Sequence, residues 1–327
     1  MLYSIISTVY WGGLIVGAGV VGLLSLVYIG QEKLIYFPDT SHFLNPTDYG
    51  FTSDNFEENI LTAKDGTKIQ TWFFKQPQPK NAPTMLFCHS NAGNLSHRLP
   101  NIRHLYDIVR CNVLIISYRG YGKSQGVPTE HGIKLDVDVS MEFLLSDESI
   151  DHDRIFVFGR SLGGAVAVDA SSRYPAIIKA NILENTFLSI PDMVDVVLPQ
   201  LKVFKLLCKN KWSSFELIRN IKTPTLFLSG KKDELVPSTH MLKLEELADQ
   251  CRKKMIIYEK GQHMNLMMQP NYYKHIREFL ETVFVVEPPP YRYRPITLEV
   301  LIDSLQVNSF IDNIVTGTFK VDIDVQH

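Results

Sequence analysis

Residues 159–164, with the sequence Gly-Arg-Ser-Leu-Gly-Gly, carry the side chain best suited to nucleophilic chemistry in this chain. They lie between an apolar run, 155–158, and a run of small apolar residues, 165–168, which predicts a sharp turn from a buried strand into a helix. Such a turn lifts the Ser161 hydroxyl clear of the sheet and directs the Leu162 N–H at a developing oxyanion. The same glycines would also suit a closely packed turn without any catalytic role.

A serine hydroxyl is a poor nucleophile, so it needs an imidazole to take its proton and a carboxylate to orient that imidazole. Two polar turns that follow predicted strands supply these groups. Asp233 comes after the apolar run 225–229, and His263 comes after the run 255–258. We therefore expect Asp233 to orient His263, and His263 to act as the base. Glu234 is the nearest rival acid, but its position one residue later directs its carboxylate elsewhere.

The loop that follows the predicted strand 84–88 is the expected source of a second oxyanion donor. It consists of small and turn-forming residues, and within it the Asn91 N–H would join that of Leu162. His89 precedes the turn, so we expect it to brace the loop through hydrogen bonds rather than to act as a base. Cys88 is interpreted as a small buried residue rather than as a second nucleophile.

Five longer strings resemble the α/β-hydrolase superfamily, and in particular its membrane-anchored members: 89–94, 97–101, 117–124, 158–167 and 184–191. The resemblance extends from about Leu34 to Phe284. It implies an α/β-hydrolase fold with Ser161, Asp233 and His263 as the charge-relay residues, and it implies no metal or organic cofactor. One departure is Ser90, which stands where the family usually has glycine, so the loop must either accept a side chain or shift its donor.

Predicted strands and helices alternate along the chain, which supports a mostly parallel central sheet with helices on both faces. Residues 68–75 alternate like an edge strand, and 112–117 form a continuous buried strand. Residues 130–145 have helical spacing, with Asp136 and Asp138 on the polar side. The binding crevice should lie at the carboxyl ends of the strands.

The 327 residues include 45% hydrophobic residues, enough for one sizeable α/β domain over residues 34–286. Within it, the apolar segment 186–223 predicts a cap over the site, although an ordinary packed helix pair is equally consistent. Residues 287–327 begin with a proline-rich run and form a C-terminal tail without an assigned role. The net charge of −2 gives no reason to expect nucleic acid, and the four cysteines lack the spacing of metal or redox motifs.

The N-terminal residues 1–30 contain no charged side chain, and their apolar stretch exceeds the ~20 residues that span a bilayer. They predict a single transmembrane helix within residues 1–33 that contacts membrane lipids. The stretch lacks a basic leader, which favours an uncleaved anchor over a signal peptide. Lys33 after the span favours a cytosolic domain, whereas the resemblance implies the opposite, type II arrangement, so both orientations stay open.

These features predict a membrane-anchored serine hydrolase that cleaves ester or thioester bonds in acyl-protein or lipid-like substrates. The substrate class follows from the location, because an anchor raises the effective concentration of lipid-borne substrates. Two alternatives use the same residues: a serine peptidase with the same triad, and a catalytically inactive scaffold in which Ser90 has spoiled the oxyanion loop. The sequence assigns no oligomeric state.

Overall fold

The computed structural model describes residues 28–284 and, ahead of them, residues 10–14, 18, 19, 22 and 25. The predicted tail 287–327 and much of the predicted transmembrane helix within 1–33 lie outside the described residues. Among the helices of the described part, none combines the length and the apolar composition needed to cross a membrane.

The described chain is built on one eight-stranded sheet. In chain order its strands are β1 Phe56–Thr62, β2 Lys68–Phe74, β3 Thr84–Cys88, β4 Asn112–Ile116, β5 Ile155–Arg160, β6 Ile178–Glu184, β7 Thr225–Gly230 and β8 Lys253–Tyr258. Their order across the sheet is β8, β7, β6, β5, β3, β4, β2, β1. Strand β2 runs antiparallel to both of its neighbours, and the other pairs are parallel. The predicted mostly parallel sheet is thus confirmed.

Helices cover both faces of this sheet. They are α1 Glu32–Ile35, α2 Leu99–His104, α3 Glu130–Ser146, α4 Leu162–Arg173, α5 Ile190–Val197, α6 Ser214–Leu217, α7 Ser238–Leu247 and α8 Tyr272–Val283. Single turns of 3-10 helix occur between them, and a longer 3-10 stretch, Pro199–Leu207, follows α5. Helices α3, α4 and α7 pack in one apolar core, while α2 and α8 pack in the other.

Strand β5 shows why the central strands read as unbroken apolar runs. Ile155 and Val157 enter the core that contains α3 and α4. Phe156 and Phe158 point the other way, into the core that contains α2 and α8. Because successive side chains point to opposite faces and both faces are covered, the strand is apolar as far as Gly159. It ends at the buried Arg160, and Ser161 follows directly.

The sequence predicted an edge strand at residues 68–75, and this prediction of its place in the sheet is wrong. It forms β2, which lies between β1 and β4 and is buried from Ile69 onward. Its polar residues suggested a solvent-facing side, but Gln70 donates to Glu58 at 2.7 Å and accepts the Lys123 N–H at 3.0 Å. The actual edge at this end is β1, whose side chains are half-buried or exposed.

Asp136 of α3 also departs from its predicted place on the polar side of the helix. It is fully buried, and its carboxylate accepts the Arg119 backbone N–H at 2.8 Å and an Arg119 guanidinium N–H at 2.9 Å. Burial raises the pKa of Asp136 to about 6, although Arg119 acts in the opposite direction. Asp138 lies on the half-exposed side, as predicted.

The two carboxylates that contact Arg119 provide a matched pair for a stability test. The Asp136 side chain has 0% exposure and the Asp65 side chain 37%. We expect Asp136→Ala to lower the free energy of unfolding by about 3–5 kcal/mol, because it removes the buried partner of a buried charge. Asp65→Ala should lower it by no more than about 1 kcal/mol. Denaturant titration of the detergent-solubilised full chain measures both, and equal losses would contradict this assignment.

Candidate active site

Ser161 occupies the tight turn between β5 and α4 with a backbone φ of 55°, in the left-handed region that non-glycine residues rarely adopt. Hydrogen bonds on both sides hold this conformation. The Ser161 N–H donates to the Glu184 carbonyl at 2.9 Å. Its carbonyl accepts from the Gly164 N–H at 2.9 Å and from the Thr186 hydroxyl at 2.7 Å. The strained geometry expected of a nucleophile turn is therefore present.

The glycines around Ser161 are required by close backbone packing. A Cβ atom on Gly159 would lie 2.0 Å from the Gly163 carbonyl oxygen, and one on Gly163 would lie 2.0 Å from the Cys88 carbonyl oxygen. On Gly164 it would lie 2.4 Å from the Thr186 side chain. The first turn of α4 thus rests directly on the end of β3, which brings Ser161 beside the loop that follows β3.

Asp233 and His263 meet at the carboxyl ends of β7 and β8. The Asp233 Oδ2 atom lies 2.8 Å from His263 Nδ1. The other oxygen, Oδ1, accepts the backbone N–H groups of Leu235 at 2.9 Å and Val236 at 2.8 Å. Both side chains are almost fully buried. The carboxylate is fixed from two sides, and within the described part of the chain no group forms a hydrogen bond with the Nε2 atom of the imidazole.

Glu234, the rival acid, contacts His263 in a different way. Its Oε2 atom accepts the His263 backbone N–H at 3.1 Å, so it holds the histidine turn rather than the imidazole. Ser161 and His263 line the same cavity. The structure therefore pairs the Asp233 carboxylate with the His263 imidazole and places Ser161 on the cavity that His263 lines, while the action of the three side chains as a triad stays a prediction.

The Asn91 backbone carbonyl accepts the Phe37 N–H at 2.9 Å and the Tyr121 hydroxyl at 2.6 Å, while the side chain donates to the Ile35 carbonyl at 3.1 Å. Among the described residues, no group accepts the Asn91 N–H. Leu162 is the first residue of α4, so its N–H has no acceptor within the helix. Both residues line the cavity beside Ser161, which suits two oxyanion donors.

His89 and Ser90 bear on whether the oxyanion loop is intact. The His89 Nδ1 atom lies 2.6 Å from the Ser90 carbonyl, and its ring packs 4.1 Å from that of Tyr118. Burial, with a smaller effect of Arg98, lowers the pKa of His89 to about 3, so this buried ring is neutral. It braces the loop, as the sequence predicted. The φ angle of Ser90 is not positive, so a side chain at this position causes no backbone strain.

Asn185 is a positioning residue that the sequence did not single out. It follows β6 with a φ of 43°. Its side-chain amide donates to the carbonyls of Gln262 at 3.1 Å and His263 at 3.2 Å, and its side-chain oxygen accepts the Gly230 N–H at 2.8 Å. Asn185 thus ties the histidine turn to the end of β7. The sequence signal that could have identified Asn185 is its position as a polar residue directly after a buried strand.

Glu184 is a second buried carboxyl group that the sequence did not single out. It accepts the Tyr272 hydroxyl at 2.5 Å, and its other oxygen lies 4.0 Å from the Arg160 guanidinium. Burial raises the pKa of Glu184, while Arg160 and Tyr272 act in the opposite direction. Since its backbone carbonyl accepts the Ser161 N–H, Glu184 also stabilises the serine turn.

A cavity of about 590 Å³ extends from Ser161 and His263 along the segment 186–223. Its wall is mostly apolar, with contributions from Phe187, Ile190, Met193 and Val194 of that segment. The segment therefore forms part of the cavity wall, and its role as a cap stays a prediction. In the described part of the chain, no three metal-ligating side chains converge on a common point. A cavity of this size and character suits the apolar part of a small ligand.

Comparisons with known proteins show the family and the fold of this chain. The profile of the α/β-hydrolase-fold family matches residues 83–207. The chain is 39% identical to protein bem46 of Schizosaccharomyces pombe over 79% of its length and 88% of that protein. It is 36% identical to membrane protein YNL320W of Saccharomyces cerevisiae over 86% and 98% of the two chains. The esterase Pf2001 of Pyrococcus furiosus superposes with a TM-score of 0.62 at 20% identity, over 76% and 99% of the chains.

A comparison of Asn185 with Asn181, which lies in the preceding strand β6, tests the role of the Asn185 hydrogen bonds. Asn181 is equally buried, but its side-chain amide has no partner within the described chain. We expect Asn185→Ala to lower kcat for a short ester by roughly 100-fold, because the imidazole loses its fixed position, with KM within about twofold. Asn181→Ala should leave both constants near wild type. Equal losses in the two variants would show that packing of β6, rather than the Asn185 contacts, matters.

Proposed function

The chain belongs to the α/β-hydrolase family, and from this premise we propose that it is a serine hydrolase of carboxylic ester or thioester bonds. Ser161 is the nucleophile, His263 the general base and Asp233 the group that orients the imidazole. The Asn91 and Leu162 N–H groups are the oxyanion donors. No other residue is required to change its charge during the reaction.

One observation carries this proposal: the 2.8 Å contact between Asp233 Oδ2 and the Nδ1 atom of His263, a residue that lines the same cavity as Ser161. A carboxylate at Nδ1 keeps the proton on that nitrogen, so Nε2 is the atom available to accept the Ser161 proton. The backbone N–H groups of Leu235 and Val236, which donate to Asp233 Oδ1, keep this carboxylate in place while the imidazole changes charge. This arrangement supports general-base activation of a serine.

In the proposed reaction, Ser161 Oγ attacks the acyl carbon while its proton moves to His263 Nε2. The carbonyl oxygen becomes negative and accepts hydrogen bonds from the Asn91 and Leu162 N–H groups. The tetrahedral species then expels the alcohol or thiol, which leaves with the proton from His263. A water molecule attacks the acyl group on Ser161, again with His263 as base, and releases a carboxylic acid and free Ser161.

The cavity supports an acyl group as the part of the substrate that the protein recognises. Its wall beyond Ser161 is apolar, so an aliphatic chain bound there would be removed from water at about 25 cal/mol per Å² of apolar surface buried. Pf2001, which shares the fold, is an esterase. Esters and thioesters fit the same site because both place one carbonyl between the nucleophile and the oxyanion donors.

We further propose that the protein is anchored in a membrane by a single N-terminal helix. Residues 1–30 carry no charged side chain, and their apolar stretch exceeds the ~20 residues that span a bilayer. The relative YNL320W is named a membrane protein. The catalytic domain begins within a few residues of this stretch, so the anchor would hold the site close to the bilayer and to acyl-protein or lipid-like substrates.

A fluorophosphonate probe tests the proposed nucleophile directly. We expect it to label the full chain in detergent and to leave Ser161→Ala unlabelled, because the probe reacts with an activated serine. Ser90→Ala is the matched control, since Ser90 is the other serine that lines the cavity among the described residues. This variant should keep the label. Absence of Ser161-dependent labelling in folded protein would overturn the proposal in favour of an inactive scaffold.

The bond type is tested on the same preparations with three substrates that share one acyl group: an ester, a thioester and a peptide amide. We expect Ser161-dependent hydrolysis of the ester and the thioester, because their leaving groups depart more easily than an amine. If the amide is cleaved as fast as the ester, the protein is a peptidase and the proposed bond specificity is wrong.

A further inference from the structure

Exposed apolar side chains line part of the cavity and continue along the segment that follows α5. We call this group the rim, and it consists of Tyr28, Leu34, Val196, Val197, Val203, Leu206 and Leu207. Leu206 is 89% exposed and Val203 74%. Isolated exposed apolar residues are ordinary, but five that line one cavity, with two more from the adjoining turns, form a group of the kind that marks an interaction surface.

The rim is continuous with the cavity that reaches Ser161. Five of its members, Tyr28, Leu34, Val196, Val197 and Leu207, also line that cavity. Val203 and Leu206 are not part of its lining and are mostly exposed. An apolar path therefore leads from the surface, between α1 and the cap segment, to the nucleophile.

Hydrogen bonds fasten the cap side of the rim to the start of the catalytic domain. Gln31 donates from its side chain to the Leu207 carbonyl at 3.3 Å and accepts the Lys209 N–H at 2.6 Å. Lys209 also forms a 2.9 Å ion pair with Glu32. Residues 207–209 are therefore held at the point where the charge-free stretch 1–30 ends.

A second, buried set of contacts reinforces this attachment a few residues further along. The Tyr36 hydroxyl donates to the Asn210 side-chain oxygen at 2.9 Å and accepts the Trp212 indole N–H at 3.0 Å. Burial raises the pKa of Tyr36, so its hydroxyl keeps its proton. These contacts therefore fix the position of the rim next to the residues that follow the N-terminal stretch.

The segment beside the rim is rich in lysine. Between Leu198 and Trp212 the chain has four lysines and no acidic residue. Lys205 and Lys209 form ion pairs with Asp195 and Glu32, at 2.8 Å and 2.9 Å, and among the described residues Lys202 and Lys211 form none. Lysines that alternate with exposed aliphatic side chains are typical of segments that lie in the headgroup region of a bilayer, where the aliphatic groups enter the acyl region.

We propose that the rim lies against a lipid bilayer and that the acyl chain of a lipid ester in that bilayer passes through it to Ser161. The inference rests on the proposed serine hydrolase and adds the route and the source of its substrate. Gln31 and Glu32, which directly follow the N-terminal stretch, contact residues 207–209, so the rim lies beside the start of the catalytic domain. A lipid can then enter the cavity without its chain crossing water.

The test uses the full chain reconstituted in vesicles of phosphatidylcholine and phosphatidylserine. One substrate is a long-chain fluorogenic ester held in the same vesicles, and the other is a short water-soluble ester. We expect the double variant Val203→Glu, Leu206→Glu to lose roughly tenfold or more of its activity on the vesicle-held ester, since two carboxylates keep the rim out of the bilayer. Its activity on the soluble ester should stay within about twofold of wild type.

The matched control is Ile60→Glu, Ile257→Glu, which places the same charges on exposed apolar positions of the two edge strands, β1 and β8. It should keep both activities. An unchanged rate on the vesicle-held ester in the rim variant would overturn the inference, and so would an equal loss on both esters. If wild type shows no Ser161-dependent hydrolysis of the soluble ester, the proposed function itself is wrong.

A second readout is independent of activity. A fluorophore on Leu206→Cys, with Cys208 and Cys251 replaced by alanine, should be quenched by nitroxide-labelled lipid. The same fluorophore on Ile257→Cys should not be quenched. Equal quenching at the two positions would overturn the contact between the rim and the bilayer.

Discussion

The contact between Asp233 and His263 is the interaction on which the site depends. A buried carboxylate is costly unless its oxygens accept hydrogen bonds, and here two backbone N–H groups and one imidazole supply them. The imidazole is thereby held in one orientation. Parallel pairing makes the contact possible, because β7 and β8 are neighbours and their carboxyl ends lie at the same edge of the sheet as that of β5.

Ser161 depends on a different constraint, because its surroundings hold its backbone in a strained conformation. The close packing of Gly163 against the end of β3 and the hydrogen bond from the Ser161 N–H to the Glu184 carbonyl of β6 hold the turn from two strands. The packing and hydrogen bonds of the sheet therefore offset the cost of the strained backbone. Asn185 then links the same strand, β6, to the histidine turn. The end of β6 is therefore the common support of both the nucleophile and the base.

Features that depend on a local pattern were predictable from the sequence, and those that depend on distant partners were not. Strand β3 is confirmed at both of its predicted ends, and the serine turn follows β5 as expected. By contrast, Asp136 and Gln70 looked solvent-facing, since a polar residue shows its burial only through a partner such as Arg119 or Lys123. Glu184 and Asn185 were missed for the same reason, because their partners come from chain segments about 80 residues away.

The central claim is that Asp233 serves the imidazole rather than the stability of the fold. The direct measurement is kcat/KM for a short ester, with the melting temperature, for Asp233→Asn in the full chain. The amide oxygen can still accept the Leu235 and Val236 N–H groups, but the amide nitrogen favours the wrong imidazole tautomer. We predict that kcat/KM falls by roughly 10³–10⁴-fold while the melting temperature changes little. Wild-type turnover in the folded variant, or a chain that no longer folds, would contradict the account.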